Sequence, residues 1–247
     1  MDTAWQRADR RWVDPFRPQI IPNGYVSPRE VDLDREIHLD AVRRAIEQMS
    51  VFVFTLGLTE TWLDKRDGAA YPLAPGVAGG RYDETIHEFR NLDVAEVADD
   101  LKWSLDFIRE RNPQVKFILT VSPVPLNATA LDRHVAVSSA YSKAILRVAA
   151  EQVVNATDLC DYYPSYEIIT SPFTRSAYFA DDAREIREEG VHHVMSLFLK
   201  HYAAAQTSKK SSTTSKRPRP APAPISRTEQ AEALMQVLCD EEAIDNA

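Results

Sequence analysis

The sequence places polar side chains directly after apolar segments that have the composition of buried strands. Hydroxyls and carboxylates at such positions can move protons or bind a polar ligand. The candidates of this kind are Thr59 and Glu60 after VFVFTLGL, Ser122 at the end of KFILTVS, and Tyr166 and Glu167 in PSYEII, and Gly57 near the end of VFVFTLGL is a candidate for binding through its backbone. Each group also has a structural interpretation, in which Thr59 and Glu60 cap a turn and Tyr166 and Glu167 begin a helix.

The strands that would position these residues are predicted at 51–58, 116–122 and 159–163. The first two are continuous apolar runs, which are typical of strands buried on both faces of a sheet. Apolar residues at helical spacing predict the intervening helices, which lie at 29–49, 93–111, 134–153 and 188–202. This alternation indicates an α/β fold, with a parallel sheet and helices on both faces. In such sheets ligands bind outside the carboxyl ends of the strands, where the polar candidates stand.

The chain divides into four regions by composition. Residues 1–28 show no clear period and are predicted to be irregular, and residues 29–203 form the α/β domain, in which 59–92 is a long loop. Residues 204–227 are a basic, low-complexity segment that favours a disordered linker. The acidic tail, residues 228–247, includes a short amphipathic stretch at 228–238 that is predicted to be a helix, which would dock either on this domain or on a partner protein.

Composition excludes several classes of function. The 247 residues carry a formal net charge of −8, which disfavours binding to nucleic acid or to anionic membranes. No apolar run is long enough to cross a bilayer, and no secretory signal is present, so we expect a cytoplasmic protein without membrane contact. Cys160 and Cys239 indicate neither a disulfide framework nor a metal site. No cofactor motif is present, so we expect neither a cofactor nor a metal.

Several stretches between residue 12 and about residue 202 together resemble the GSCFA family, a branch of the SGNH-hydrolase-like superfamily. They are WVDPFRPQIIPNGYVSP at 12–28, VFVFTLGLTETW at 51–62, YPLAPGVAGG at 71–80, ILTVSPVPLNATA at 118–130, YSKAILRVAAE at 141–151, YYPSYEIIT at 162–170 and EEGVHHVMSLF at 188–198. The resemblance implies a three-layer, flavodoxin-like or SGNH-like parallel sheet. It also implies the chemistry of serine-dependent esterases and acyl hydrolases.

The residues that the resemblance assigns to this chemistry are incomplete. Thr59 stands where an oxyanion-binding Asn is expected, with Glu60 beside it. Asp182 stands at the first position of an expected Asp-x-x-His, but Glu185 replaces the His. The Gly-Ser-Cys motif that would carry the nucleophile does not occur in the chain. We therefore expect a domain that is incomplete at its N-terminus and inactive in this form.

Three histidines are further candidates, His134 for binding a substrate and His192 or His193 for acting as a substitute base. His134 begins a predicted helix and would either line the pocket or cap that helix. His192 and His193 lie on the last helix, where adjacent residues cannot both face the site. Asp182 has a structural alternative too, since an acid before a helical region is favourable at the helix N-terminus.

Three hypotheses of function follow. The chain is a hydrolase-like domain that acts on an ester or acyl group of a small molecule or glycan, with activity only if a Gly-Ser-Cys segment exists upstream. Alternatively, it is a non-catalytic binding or interaction protein. A third alternative is a truncated gene product, whose parallel sheet would expose an apolar edge and require self-association or a partner.

Overall fold

The computed structural model describes residues 3–202. The predicted linker at 204–227 and the predicted tail helix at 228–238 lie outside these residues. The alternation of strand and helix patterns predicted an α/β fold with a parallel sheet, and this prediction is confirmed. Among residues 3–202, no helix combines the length and the apolar character needed to traverse a lipid bilayer.

The helices lie close to their predicted positions. Asp93 caps α2 through a reciprocal pair of hydrogen bonds with Glu96, and Asn112 ends it as the sequence predicts. The five helices are α1 (Pro28–Gln48), α2 (Val94–Arg111), α3 (Val135–Ala156), α4 (Ser165–Thr170) and α5 (Glu188–Tyr202).

The chain begins with a short antiparallel hairpin, β1 (Trp5–Gln6) and β2 (Trp12–Val13), within the segment predicted to be irregular. Trp5 and Val13 are buried against Tyr71. Asp14, which is fully buried, accepts hydrogen bonds from Arg17 and from Arg35 of α1. The hairpin and α1 are therefore joined by a buried ion pair.

The central sheet is parallel, in the order β3–β7–β8. Its strands are β3 (Val51–Leu56), β7 (Lys116–Val121) and β8 (Cys160–Tyr162). Val51 pairs with Lys116 and Leu56 with Val121, so β3 and β7 end at the same edge. The carboxyl ends of these strands thus meet there, as the sequence predicts for a ligand site.

Helices cover β7 on both faces. On one face Phe117, Leu119 and Val121 form the main hydrophobic core with residues of α2 and α3. On the other face the Thr120 hydroxyl contacts the Ser165 hydroxyl at the start of α4. The prediction that 116–122 is buried on both faces is confirmed, since residues 117–121 are all buried.

The same prediction is wrong for β3. Val51, Val53, Phe54 and Thr55 are exposed, and only Leu56 is buried. Within residues 3–202, β3 pairs on one side alone, with β7. An apolar, β-branched run specifies a strand, but its burial depends on neighbours that the run itself does not encode.

The prediction of a long loop at 59–92 is also wrong. This segment contains a second, antiparallel sheet in the order β5–β4–β6, built from β4 (Glu60–Asp64), β5 (Ala70–Tyr71) and β6 (His87–Asn91). Polar residues in these short strands hide the alternation that would predict them. This sheet begins at Glu60, so β4 leaves directly from the carboxyl edge of the parallel sheet.

Candidate functional site

A cavity of about 540 Å³ opens at the carboxyl end of β7, a volume within the usual range of ligand pockets. It lies beside the first turns of α3 and the loop that follows β7. We call it the Lys143 cavity. The residues that line it are Pro123, Pro125, Leu126, Asn127, Val135, Ala136, Ser139, Ala140, Lys143, Tyr166, Thr170, Phe179, Asp182, Ala183 and Arg184.

Lys143 is the most unusual side chain of this cavity. It lies on α3 with only 3% of its surface exposed, and its Nζ donates a 2.9 Å hydrogen bond to the carbonyl oxygen of Gly57. No carboxylate of residues 3–202 forms an ion pair with it. Burial therefore lowers the pKa of the Lys143 ammonium from 10.5 to about 8.

Gly57 thus takes part in the site through its backbone oxygen. The turn after β3 is held against α3 by this contact and by a second one, in which the Thr59 backbone N–H donates to Ser142 Oγ at 2.8 Å. Lys143 and Ser142 are adjacent on α3, so the helix fixes the position of the whole turn at the end of β3.

Thr59 lies inside the protein rather than at a ligand surface. Its side chain is fully buried, and its hydroxyl donates to Asn91 Oδ1 at 2.6 Å, with Ser142 Oγ 3.1 Å away. To bind an oxyanion, Thr59 would have to give up its bond to Asn91. A role in oxyanion binding stays a prediction for this residue.

Glu60 joins β4 to the loop after β7. Its carboxylate accepts a hydrogen bond from the Thr129 hydroxyl at 2.6 Å and another from the Ala130 backbone N–H at 3.2 Å. The Thr129 hydroxyl also contacts Ser138 Oγ of α3. In this arrangement Glu60 positions the loop that forms one wall of the Lys143 cavity.

Two of the predicted residues, Tyr166 and Asp182, line the Lys143 cavity itself. Asp182 is exposed, and its Oδ1 accepts hydrogen bonds from the backbone N–H groups of Arg184 and Glu185. These bonds hold the pKa of the Asp182 carboxyl below its usual value. Asp182 therefore orders the turn at 182–185. Tyr166 lies on α4, so this helix also contributes to the wall of the Lys143 cavity.

The other predicted site residues lie outside the Lys143 cavity. Glu167 accepts hydrogen bonds from Arg147 and from the Tyr162 hydroxyl, an ion pair that joins α4 to α3. Ser122 accepts a bond from the Val124 N–H within its own loop. His134 is the N-cap of α3, where its Nδ1 accepts a hydrogen bond from the Ala136 N–H, so the capping alternative describes its contact.

Within residues 3–202, no serine hydroxyl is hydrogen-bonded to a histidine ring. The His193 ring bonds instead to the Tyr178 hydroxyl at 2.6 Å, and burial lowers its pKa. Glu185, at the expected position of the catalytic His, is exposed and lines a neighbouring cavity of about 630 Å³. That cavity shares Pro123 and Arg184 with the Lys143 cavity.

Sequence reasoning missed Lys143, Ser142, Asn91 and Arg184. A signal for Lys143 was present, because it stands on the same helical face as Ser139, Leu146 and Ala150, which are all buried. A lysine in the middle of a buried helical face must reach a polar partner or a cavity. Asn91 and Arg184 stand in segments without a pattern that could have singled them out.

A larger cavity lies elsewhere. It has about 990 Å³ and lies between the N-terminal hairpin region and residues 73–81, and it includes none of the predicted site residues. Within residues 3–202, no three His, Cys, Asp or Glu side chains are grouped so that they could hold a metal ion. The chemistry that the Lys143 cavity offers is thus a buried cation beside hydroxyls and apolar walls.

Comparison with known proteins gives a family. No curated protein matches the chain at a significant level. Among solved structures, an acetyl xylan esterase (Est2A) from the rumen bacterium Butyrivibrio proteoclasticus matches with a TM-score of 0.33 and 12% sequence identity. That match covers 64% of this chain and 38% of the esterase chain, so the present chain spans well under half of that protein's length. The model of the GSCFA family matches residues 3–198, which is most of the sequence, and the chain therefore belongs to the GSCFA family.

Proposed function

We propose that this chain is a hydrolase-like domain that binds an ester or acyl compound, from a small molecule or a glycan, and does not hydrolyse it with its own residues. One observation carries the proposal. A cavity with a buried ammonium lies at the carboxyl edge of the parallel sheet, while no serine hydroxyl among residues 3–202 is hydrogen-bonded to a histidine ring. Family membership supports the hydrolase-like part of the proposal.

Hydrolysis needs more than a pocket. A serine hydroxyl is a weak nucleophile until a base removes its proton, and the base must be within hydrogen-bond reach. The hydroxyls near the cavity are engaged in structural contacts instead: Ser142 accepts from the Thr59 N–H, and Ser139 accepts from the Leu126 N–H at 3.3 Å.

A lysine with a lowered pKa can also serve as the base for a serine. The Lys143 ammonium, however, donates to the Gly57 carbonyl, and no described serine hydroxyl is hydrogen-bonded to it. The one hydrogen bond that the ammonium makes is therefore to a backbone carbonyl, which cannot act as a nucleophile. These contacts favour binding of a ligand in the Lys143 cavity over its hydrolysis there.

An ester assay on the full chain tests this proposal. We expect neither release of p-nitrophenol from p-nitrophenyl acetate above the buffer rate nor labelling by a fluorophosphonate probe. A serine esterase assayed under the same conditions supplies the positive control.

Stoichiometric labelling would overturn the proposal and would favour the alternative, an acyl hydrolase. The labelled serine would then be identified by peptide mass spectrometry, and its Ala variant should lose both the label and the turnover.

A further inference from the structure

The charges of the Lys143 cavity indicate the class of ligand. Two cations, Lys143 and Arg184, and one anion, Asp182, line it. The Asp182 carboxylate is exposed and already accepts hydrogen bonds from two backbone N–H groups. The three side chains together carry a net charge of +1, which a singly charged anion would neutralise.

Both cations have hydrogen-bonding capacity to spare. An ammonium has three N–H donors, and the structure uses one of Lys143's on the Gly57 carbonyl. The Arg184 Nε is buried and has no hydrogen-bond partner among the described residues. Buried donors in native proteins are normally satisfied, so an acceptor supplied by a ligand is consistent with these unused donors.

Apart from these charged residues, the walls of the cavity are mostly apolar. They include Pro125, Leu126, Val135, Ala140 and Phe179. An inorganic anion would leave these side chains facing water, whereas an organic acid would cover them with its hydrocarbon part. The neighbouring cavity, which shares Arg184, extends the apolar surface with Ile169, Val191 and Met195.

The N-terminus of α3 adds to the same preference. Val135 and Ala136, the first two residues of this helix, line the cavity. Helix N-termini favour negative charge through the helix dipole, and this contribution remains although the Ala136 N–H already donates to His134 Nδ1. The position of Lys143 two turns further along α3 reinforces that field from the interior.

From these features we propose that the Lys143 cavity binds an organic monocarboxylate, with Lys143 and Arg184 holding the carboxylate and the apolar walls covering its hydrocarbon part. The assignment rests on the proposed function, because it specifies the acyl compound as an acid or a conjugate that carries one carboxylate. It can be tested without any ester being turned over.

Butyrate and butyramide are a matched pair of probes, since they have nearly the same shape and differ in charge. We expect butyrate, added to the full ¹⁵N-labelled chain, to shift the amide signals of Leu126, Ser139 and Lys143, and butyramide to leave them in place. Inorganic phosphate, with its higher charge, should bind more weakly than butyrate.

Variants identify the cations responsible. Lys143→Met keeps the apolar stem and removes the charge, and we expect the Kd for butyrate to rise about tenfold or more, as for loss of a charge-assisted hydrogen bond. Arg184→Gln should also weaken the binding of butyrate. This second variant tests the proposal even if Lys143→Met does not fold. Lys102→Met removes an exposed lysine of α2 and should leave the Kd unchanged.

Unaltered butyrate binding in both Lys143→Met and Arg184→Gln would overturn the inference. So would equal binding of butyramide, tighter binding of phosphate, or no shift with butyrate. Ester turnover by a chain that still binds butyrate through Lys143 would instead overturn the proposed function and leave this inference standing.

Discussion

At the scale of single residues, the stability of the fold depends on buried charged side chains. Lys143 and Asp14 are both almost fully buried, but their situations are opposite. Asp14 accepts hydrogen bonds from two arginines, whereas Lys143 reaches only a backbone carbonyl. Removing either partner of a buried ion pair lowers the stability of the fold, because the other charge is left buried and unpaired. An unpaired buried ammonium lowers the stability of the fold as long as it is charged.

Lys143 predicts an unusual dependence of stability on pH. Its pKa is about 8 in the folded chain and 10.5 in the unfolded one. Below about pH 8 both states hold the proton, and burial of the charge costs its full amount. Between about 8 and 10.5 only the unfolded chain holds the proton, so the contribution of Lys143 to the free energy of unfolding rises with pH.

Urea denaturation of the wild type and of Lys143→Met across this range isolates that contribution. We expect the variant to be the more stable protein at pH 7, because it lacks the buried charge. This advantage should shrink as the pH rises from 8 towards 10. A difference between the two proteins that does not change with pH would contradict the prediction.

Asp14 predicts a large effect of a single substitution. In Asp14→Ala the guanidinium groups of Arg17 and Arg35 lose the buried carboxylate between them. We expect the free energy of unfolding to fall by about 3 kcal/mol or more, as for a broken buried ion pair. Chemical denaturation measures this change.

Asp40→Ala is the matched control for that experiment. Asp40 pairs with Arg43 on the exposed surface of α1, where an ion pair contributes under about 1 kcal/mol. Equal effects of the two substitutions would show that the Asp14 pair is not buried in solution.

At the scale of elements, α3 is the helix that organises the site. Its N-terminus and Lys143 line the cavity, Ser142 holds the turn after β3, and Ser138 contacts the Thr129 hydroxyl. Its opposite end packs into the main core through Ala150 and Val153. Loss of core packing along α3 would therefore displace the site as well.

Packing of α5 depends on a glycine. Gly190 is buried near the start of this helix, where an added Cβ would lie 2.8 Å from Tyr178 Cβ and 3.1 Å from Ile169 Cδ1. In Gly190→Ala the helix must shift away from Tyr178 and from Ile169 of α4. We expect a loss of about 1–3 kcal/mol, typical of overpacking, seen as a lower Tm in thermal denaturation.

Gly57→Ala provides the comparison, because a Cβ at Gly57 meets no atom within 4 Å. Its Tm should stay near that of the wild type. A normal Tm for Gly190→Ala would mean that α5 is not held against α4 as described.

At the scale of the whole molecule, the described part of the chain exposes apolar side chains on several elements. On β3 they include Val53, which is 47% exposed, and on α1 they include Ile37, which is 70% exposed. Within residues 3–202, the edge of β3 opposite β7 has no strand partner, which adds unpaired backbone donors and acceptors to this surface. Exposed strand edges with apolar side chains promote association with another strand.

We therefore expect the isolated chain to self-associate with increasing concentration through β3. Sedimentation equilibrium should show this association, and Val53→Lys should reduce it, since a charge on an edge strand opposes pairing. Val137→Lys introduces the same charge at an exposed valine of α3 and should not affect association. A monomer at all concentrations would contradict the prediction.

Much of the architecture was predictable from periodicity. Asp93 and Asn112 delimit α2 by local hydrogen bonds, and the buried run at 116–122 has the composition of a central strand. The antiparallel sheet at 60–91 escaped prediction, because its short strands carry charged residues such as Glu88 and Arg90. In the site, Tyr166 and Asp182 were predicted, whereas Lys143 and Arg184 were not.

Local patterns determined the long helices and the strands of the parallel sheet, and they predicted the edge of that sheet at which a site is expected, because spacing and caps act over a few neighbouring residues. Only the tertiary structure decided which side chains meet there. Thr59 turned inward to Asn91, and Lys143 reached Gly57, across 86 residues of sequence. Such contacts depend on how α3 packs against the end of β3, and packing is a property of distant residues brought together.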